Sequence, residues 1–222
     1  MQKQKAKSIL VIGMGRFGRH LARNMQEMGH AVMVADNDPC LEASLANDFQ
    51  NYIIGDCTNE HVLYSLGVPE FDMCFVTIGT QFESSIVITS HLKNMGAKYI
   101  VTKAGRAVQT EVLKKIGADE IVYPEKELAE KLAVRYSANN ILDYIELSGD
   151  HSIFEIAVPE DWTGKTIGEL DVRRKYRVNI LAIKQESTLQ AIPSADCRLQ
   201  IGDVIVLMGK DDDVFRLTAK AK

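Results

Sequence analysis

The sequence predicts an α/β protein, a doubly wound parallel sheet followed by a small α+β domain. Two patterns predict it. Over residues 1–124, short apolar runs rich in β-branched residues alternate with amphipathic stretches, the grammar of repeated βαβ units. From about residue 145 the grammar changes to shorter strands, as in a small unit of mostly β character. A third observation fixes the first layer: Ile9-Leu10-Val11-Ile12 runs straight into Gly13-Met14-Gly15-Arg16-Phe17-Gly18, a strand, a glycine turn and a helix start.

Six strands are expected in the first part, at 8–12, 31–35, 51–54, 72–78, 98–102 and 120–123. Helices are expected between them, at 16–28, 40–48, 59–66, 81–95 and 107–116. In the first helix Phe17, Leu21, Met25 and Met28 recur on one face, and Gly29 stops it. Six parallel strands with helical crossovers make a Rossmann-like sheet, covered on both faces. Pro124 breaks the pattern and opens a helix over 125–139, with Leu128, Leu132 and Val134 as apolar positions and Asn139-Asn140 as its end. The expected organisation is a nucleotide-binding domain at 1–124, a linking or dimerisation helix at 125–144 and a small C-terminal domain at 145–222. In that last domain, strands are expected at 152–158, 178–183, 188–192 and 204–208, a helix at 166–176, and a final helix after Asp213.

The glycine run carries the chemistry. Gly13 permits a tight turn, Gly15 lets a phosphate approach the backbone, and Gly18 lets the helix pack on the sheet. The free N–H groups and dipole of the helix favour an anion there. Asp36 follows Gly13 by 23 residues, near the spacing of about 20 for the acid that accepts the ribose hydroxyls. A carboxylate there repels a 2′-phosphate. Arg16 adds a cation beside the phosphates, suited to a terminal phosphate; as an alternative it is a surface ion-pair partner. Asn37, Asp56 and Cys57, and Ile78, Gly79 and Thr80, follow the ends of the second, third and fourth strands, where ligands of such sheets bind. Lys103 and Ala104 end the fifth. Lys103 reads equally as a phosphate ligand or a surface lysine. Asp38 reads as solvent-facing.

Other chemistries find little support. Tyr99 and Lys103 match a dehydrogenase pair in spacing, but on a strand they stand roughly 13 Å apart. His20, His30, His61, His91 and His151 show no metal-ligand spacing, and Cys40, Cys57, Cys74 and Cys197 form no closely spaced pair. The reduced, packed thiols expected from this pattern suit a cytosolic protein. Neither a secretory signal nor an apolar run long enough for a membrane helix is read in the chain. The net charge of −4 disfavours nucleic acid as a partner. An NAD-dependent oxidoreductase or an NADH-sensing regulator remains the alternative.

Several segments together resemble one family. Gly13-Met14-Gly15-Arg16-Phe17-Gly18, Ala35-Asp36, Gly55-Asp56-Cys57-Thr58, Thr77-Ile78-Gly79, Lys114-Lys115-Ile116-Gly117-Ala118-Asp119 and Tyr123-Pro124-Glu125-Lys126 are similar to the regulatory subunits of bacterial Ktr and Trk potassium uptake systems, built from RCK domains. The resemblance covers nearly the whole chain. It implies a non-enzymatic cytoplasmic subunit whose homodimers assemble into an octameric ring beneath a membrane potassium-translocating partner of the KtrB/TrkH type. ATP and ADP, or alternatively NAD or NADH, would occupy the glycine-loop site. Arg16 would hold the terminal phosphate and Asp36 the ribose. Glu125 would help bind Mg2+ or another divalent cation; alternatively it is an acid stabilised at a helix N-terminus. The C-terminal domain would bind cyclic di-AMP through Ile167, Arg173, Asn179 and Pro193, although Gly168 stands where the family pattern has a larger apolar residue.

Overall fold

A computed structural model describes residues 5–137, 140–186 and 188–220. These residues form two compact units, 1–125 and 126–222.

The first unit is a six-stranded parallel sheet. Its strands are β1 (Ser8–Ile12), β2 (Ala31–Asp36), β3 (Asn51–Ile54), β4 (Met73–Val76), β5 (Ile100–Lys103) and β6 (Glu120–Val122), in the order β3-β2-β1-β4-β5-β6. The crossovers are α1 (Arg16–Glu27), α2 (Glu42–Asp48), α3 (Glu60–Leu66), α4 (Phe82–Asn94) and α5 (Ala107–Ile116). β1 shows why the apolar runs are continuous. Ile9 and Val11 enter one core with Val34 and Leu45, while Leu10 and Ile12 enter another with Leu63, Ile88 and Leu92. A strand buried on both faces has no solvent side on which to alternate. The chain runs outward from β1 to β3, then returns to the other flank through β4. The strand order therefore reverses between β1 and β4, which opens a crevice beyond their carboxyl ends.

The helix expected over 16–28 stops at Glu27; Met28 lies past its end and is 73% exposed rather than on the buried face.

The second unit begins within α6 (Pro124–Ser137). The expected stop at Asn139 lies outside the described residues. No described residue of α6 is buried, and Leu128 and Leu132 point to solvent, with only Val134 packing on a core. The segment 125–144 is not one helix: β7 (Ile141–Ser148) already occupies its last residues. β8 (His151–Ala157), β9 (Asn179–Gln185), β10 (Thr188–Ala191) and β11 (Val204–Lys210) complete an antiparallel sheet in the order β10-β9-β11-β8-β7. The helix expected over 166–176 is two pieces, α7 (Ile167–Leu170) and α8 (Val172–Tyr176), because Asp171 between them is left-handed at φ 43°. α9 (Asp211–Lys220) follows β11. The core gathers Phe154, Ile156, Trp162, Ile183, Ile205 and Leu207. Among the described residues, no helix is long and apolar enough to cross a membrane.

Candidate functional site

The crevice at the strand-order reversal is a cavity of about 400 Å³. Its floor is the glycine turn. Gly13 has φ +96°, a left-handed conformation that glycine adopts without steric cost, and a Cβ there would stand 2.9 Å from the Ile78 side chain. Gly15 starts α1 without any side-chain cap, and a Cβ on it would meet nothing within 4 Å. The first N–H groups of a twelve-residue helix therefore face open space. Gly18 is the opposite case. A Cβ on it would run into the Gly13 carbonyl oxygen and the Thr77 hydroxyl, so α1 lies directly against the turn.

Two side chains hold this turn. The Asp36 carboxylate accepts the Met14 N–H at 2.5 Å on one oxygen and the Asp38 N–H at 2.9 Å on the other. An ionised carboxylate has about four acceptor positions, so Asp36 keeps capacity for ribose hydroxyls. Thr77, nearly buried, donates its hydroxyl to the Gly13 carbonyl, with the Ile12 carbonyl also within 3.1 Å. In the sequence Thr77 stands only within the Thr77-Ile78-Gly79 segment of the resemblance, with no role of its own; a hydroxyl at the carboxyl end of the strand flanking the reversal is the signal that could have given it one.

Gly13, Met14, Gly15, Asp36, Asn37, Asp56, Cys57, Ile78, Gly79 and Thr80 all line the cavity. Asp38 also lines it, although its carboxylate is spent on capping the next turn through Cys40 N–H. Gln81 and Ser84, from the first turn of α4, line it too; the reversal places this second helix start at the crevice, and the sequence reading passed over it. Asp56 accepts the Thr58 hydroxyl at 2.7 Å and the Thr58 N–H at 2.9 Å, and these bonds hold its pKa below the usual carboxylate value. Burial, reinforced by Asp56 and Asp36, pushes the Cys57 thiol up to about 12. Cys57 is thus a protonated wall residue, not a nucleophile.

Beside the cavity lies a second group of the expected residues. Lys103 Nζ donates to Glu125 Oε1 at 2.6 Å and sits 5.7 Å over the centre of the Phe17 ring. A Cβ on the cavity residue Gly79 would stand 3.3 Å from that ammonium. The Lys103 hydrogen bond comes first in holding the Glu125 pKa low, and the Arg16 charge adds to it. Arg16 itself is exposed at the start of α1. Arg16, Phe17, Gly18, Lys103 and Glu125 therefore flank the cavity and do not line it. Ala104 is elsewhere: it is wholly buried with Leu113 and Ala118, and its N–H is spent on the Val122 carbonyl. For a divalent cation, Glu125 is the single carboxylate of this group and an ammonium already occupies it. Among the described residues, no three His, Cys, Asp or Glu side chains gather as metal ligands. The described residues of one chain do not by themselves make a site for a resident cation.

In the second unit, Ile167, Arg173, Asn179 and Pro193 converge on one cavity of about 280 Å³. Arg173 Nε donates to Asn179 Oδ1 at 2.8 Å. Gly168 packs against the 195 carbonyl, where a Cβ would stand 3.2 Å from the oxygen.

Comparison with known proteins identifies the architecture. The TrkA-N domain family matches residues 9–124 and the TrkA-C domain family residues 152–222. The chain is 39% identical over 210 residues to Ktr system potassium uptake protein C of Bacillus subtilis, covering 95% of each chain. It is 35% identical to the uptake protein A of the same organism, covering 97% of each. It is 30% identical to uptake protein A of Vibrio alginolyticus, covering 93% of this chain and 94% of that one. Among solved structures, the GsuK RCK domain superposes with a TM-score of 0.69 at 21% identity, covering all of this chain and 49% of that one. The chain thus spans about half of that protein, and the likeness is one of fold. These relatives carry the names of potassium uptake proteins, not of enzymes. The chain belongs to the TrkA-domain family of Ktr potassium uptake regulatory proteins, built on the RCK fold.

Proposed function

We propose that this chain is the nucleotide-sensing regulatory subunit of a potassium uptake system and that ATP and ADP compete for the crevice of the first unit. The observation that supports the reading best is the open face of Gly15 beside an uncapped helix start, flanked by Arg16 and Lys103. In this reading the turn N–H groups hold the inner phosphates and Asp36 takes the ribose. Met14, Asn37, Asp56, Cys57, Ile78, Gly79 and Thr80 enclose the nucleoside. Arg16 and Lys103 reach the terminal phosphate. That phosphate competes with Glu125 for Lys103, so ATP and ADP leave the Lys103–Glu125 pair in different states, and the start of α6 with it. A ligand shifts a conformational equilibrium only by its differential affinity for the two states. No step runs through a metal, because the described residues of one chain gather no cation site; a cation such as Mg2+ would need phosphate oxygens or a second copy to complete it.

The exposed Leu128 and Leu132 of α6 supply an apolar stripe for a homodimer, from which an octameric ring under a membrane potassium-translocating subunit would be built. In this reading the protein works in the cytoplasm, at the inner face of the membrane. Cyclic di-AMP would enter the cavity of Ile167, Arg173, Asn179 and Pro193.

The test titrates the purified protein with ATP, ADP, NAD and NADH while solution scattering follows size and shape. ATP should change the shape, ADP should reverse it, and neither should be turned over. A channel of the same fold has been solved with NAD, so the dinucleotides belong in the assay. Tight NADH binding without an ATP response would replace this reading with an NADH sensor.

A further inference from the structure

The most concentrated positive charge of the molecule lies in the second unit, and of it only Arg173 belongs to a site described above. Residues 172–177 carry Arg173, Arg174, Lys175 and Arg177 with no acid among them, in a chain of net charge −4. All four are exposed. Among the described residues, none of the four is in an ion pair, whereas Lys184, Lys210 and Arg216 of the same unit each hold a carboxylate.

Two hollows meet at this segment. One, of about 240 Å³, is lined by Lys175, Tyr176, Arg177, Asp213, Arg216 and Leu217. The other, of about 450 Å³, is lined by Arg173, Arg177, Lys210 and His151 over an apolar floor of Val178, Met208 and Gly209. They share Arg177 and Asp213. Asp213 does not cancel the charge, because its nearly buried carboxylate is engaged by Arg216. The Arg173 guanidinium is oriented by Asn179 through Nε, which leaves its Nη edge unspent for an oxyanion. Arg177 stands at the junction with φ +59°, a left-handed helix end where glycine or asparagine is the easy choice. The chain retains a cation there against that preference. A cation at a helix end complements the dipole, but one suffices for that, and Arg173, Lys175 and Arg177 all line these hollows.

We propose that these joined hollows bind a small soluble anion carrying two or more phosphate charges, at a site centred on Arg177 and Lys175 that adjoins the Ile167–Pro193 cavity and shares Arg173 and Asn179 with it. Two guanidiniums and an ammonium around a concave surface match a pair of phosphate groups. The proposal does not depend on the nucleotide reading of the first unit.

The single tryptophan provides the readout. Trp162 packs on Tyr176, with ring centres 5.1 Å apart, and Tyr176 lines the smaller hollow. Inorganic pyrophosphate is titrated into the full chain while Trp162 emission is followed. A saturable change is expected, weakened about tenfold or more in Arg177→Gly. Glycine accepts φ +59° freely, so this variant removes the cation without straining the fold, and its unchanged thermal midpoint or a raised one confirms that. Lys165→Gln, outside the hollows, should bind as the wild type does. No saturable response at millimolar pyrophosphate overturns the proposal. So does equal binding by Arg177→Gly, which would put the anion in the neighbouring cavity. Binding to phosphatidylglycerol vesicles without any pyrophosphate response would also overturn it, in favour of a lipid surface.

Discussion

A Cβ built on Gly15 meets nothing within 4 Å, whereas one built on Gly18 strikes the Gly13 carbonyl and the Thr77 hydroxyl. The two glycines of one motif are therefore separable by experiment. In Gly15→Ala the weaker helix cap and the reduced freedom of the unfolded chain roughly cancel, so stability should change by no more than about 0.5 kcal/mol. The added methyl fills the space where a phosphate would come, and adenine nucleotide affinity should fall about tenfold or more. Gly18→Ala should instead destabilise the first unit by about 2–3 kcal/mol, from overpacking against backbone. Urea midpoints and nucleotide titrations of both variants decide the matter; a Gly15→Ala protein that binds as the wild type does would mean the ligand does not use this turn. Glu125 gives a pH prediction. Its pKa is lowered by Lys103, so the pair stabilises the fold above the ordinary carboxylate value and is lost as pH falls through the lowered folded value. Glu125 is mostly exposed, which limits the effect to about 1 kcal/mol or less. Wild type should exceed Glu125→Gln in urea midpoint near neutrality, and the difference should close as pH falls below the ordinary carboxylate value and through the lowered one. A difference that persists in acid would mean that the carboxylate charge is not what stabilises.

At the level of elements, legibility followed burial. β1, β4 and β5 were readable because strands buried on both faces are continuous apolar runs bounded by turns. The crevice was readable because it follows from strand order. β7 was unreadable for a physical reason. It is an edge strand with Leu142, Ile145 and Leu147 exposed, and its register with β8 shifts twice, so apolar and polar residues do not alternate. The residues flanking the crevice without lining it, Arg16 and Lys103, were harder still, because their place depends on side-chain reach that spacing does not encode. The break between α7 and α8 rests on one residue. Asp171 holds φ 43° without capping α8 through its side chain. Asp171→Gly should be neutral or stabilising by up to about 1 kcal/mol, while Asp171→Val should cost about 1–2 kcal/mol or more. Thermal midpoints read by Trp162 emission report both. A tolerated valine would show that the two pieces can merge into the single helix that the periodicity suggests.

On the scale of the molecule, every core cluster is drawn from one unit alone. Three lie within residues 9–122 and one within residues 134–217. Every cavity-lining residue of the candidate nucleotide site falls between Ile12 and Ile88. Units of this size commonly carry enough core to fold alone. A fragment of residues 1–125 should therefore fold and bind ADP within about threefold of the full chain's affinity, since nothing that touches an adenosine diphosphate in this reading is removed. The cysteines supply an internal check that the fragment is native. Burial pushes the Cys57 and Cys74 thiols up to about 12, while Cys40 is exposed. In both the full chain and the fragment, Cys40 should react promptly with an aromatic disulfide reagent near neutrality, and Cys57 and Cys74 should wait for unfolding. A fragment that keeps this labelling pattern yet fails to bind ADP would show that the crevice alone is not the nucleotide site. A fragment that binds ADP normally but no longer distinguishes it from ATP would locate the discrimination in what the cut disturbs, the start of α6 beside Glu125 and Lys103.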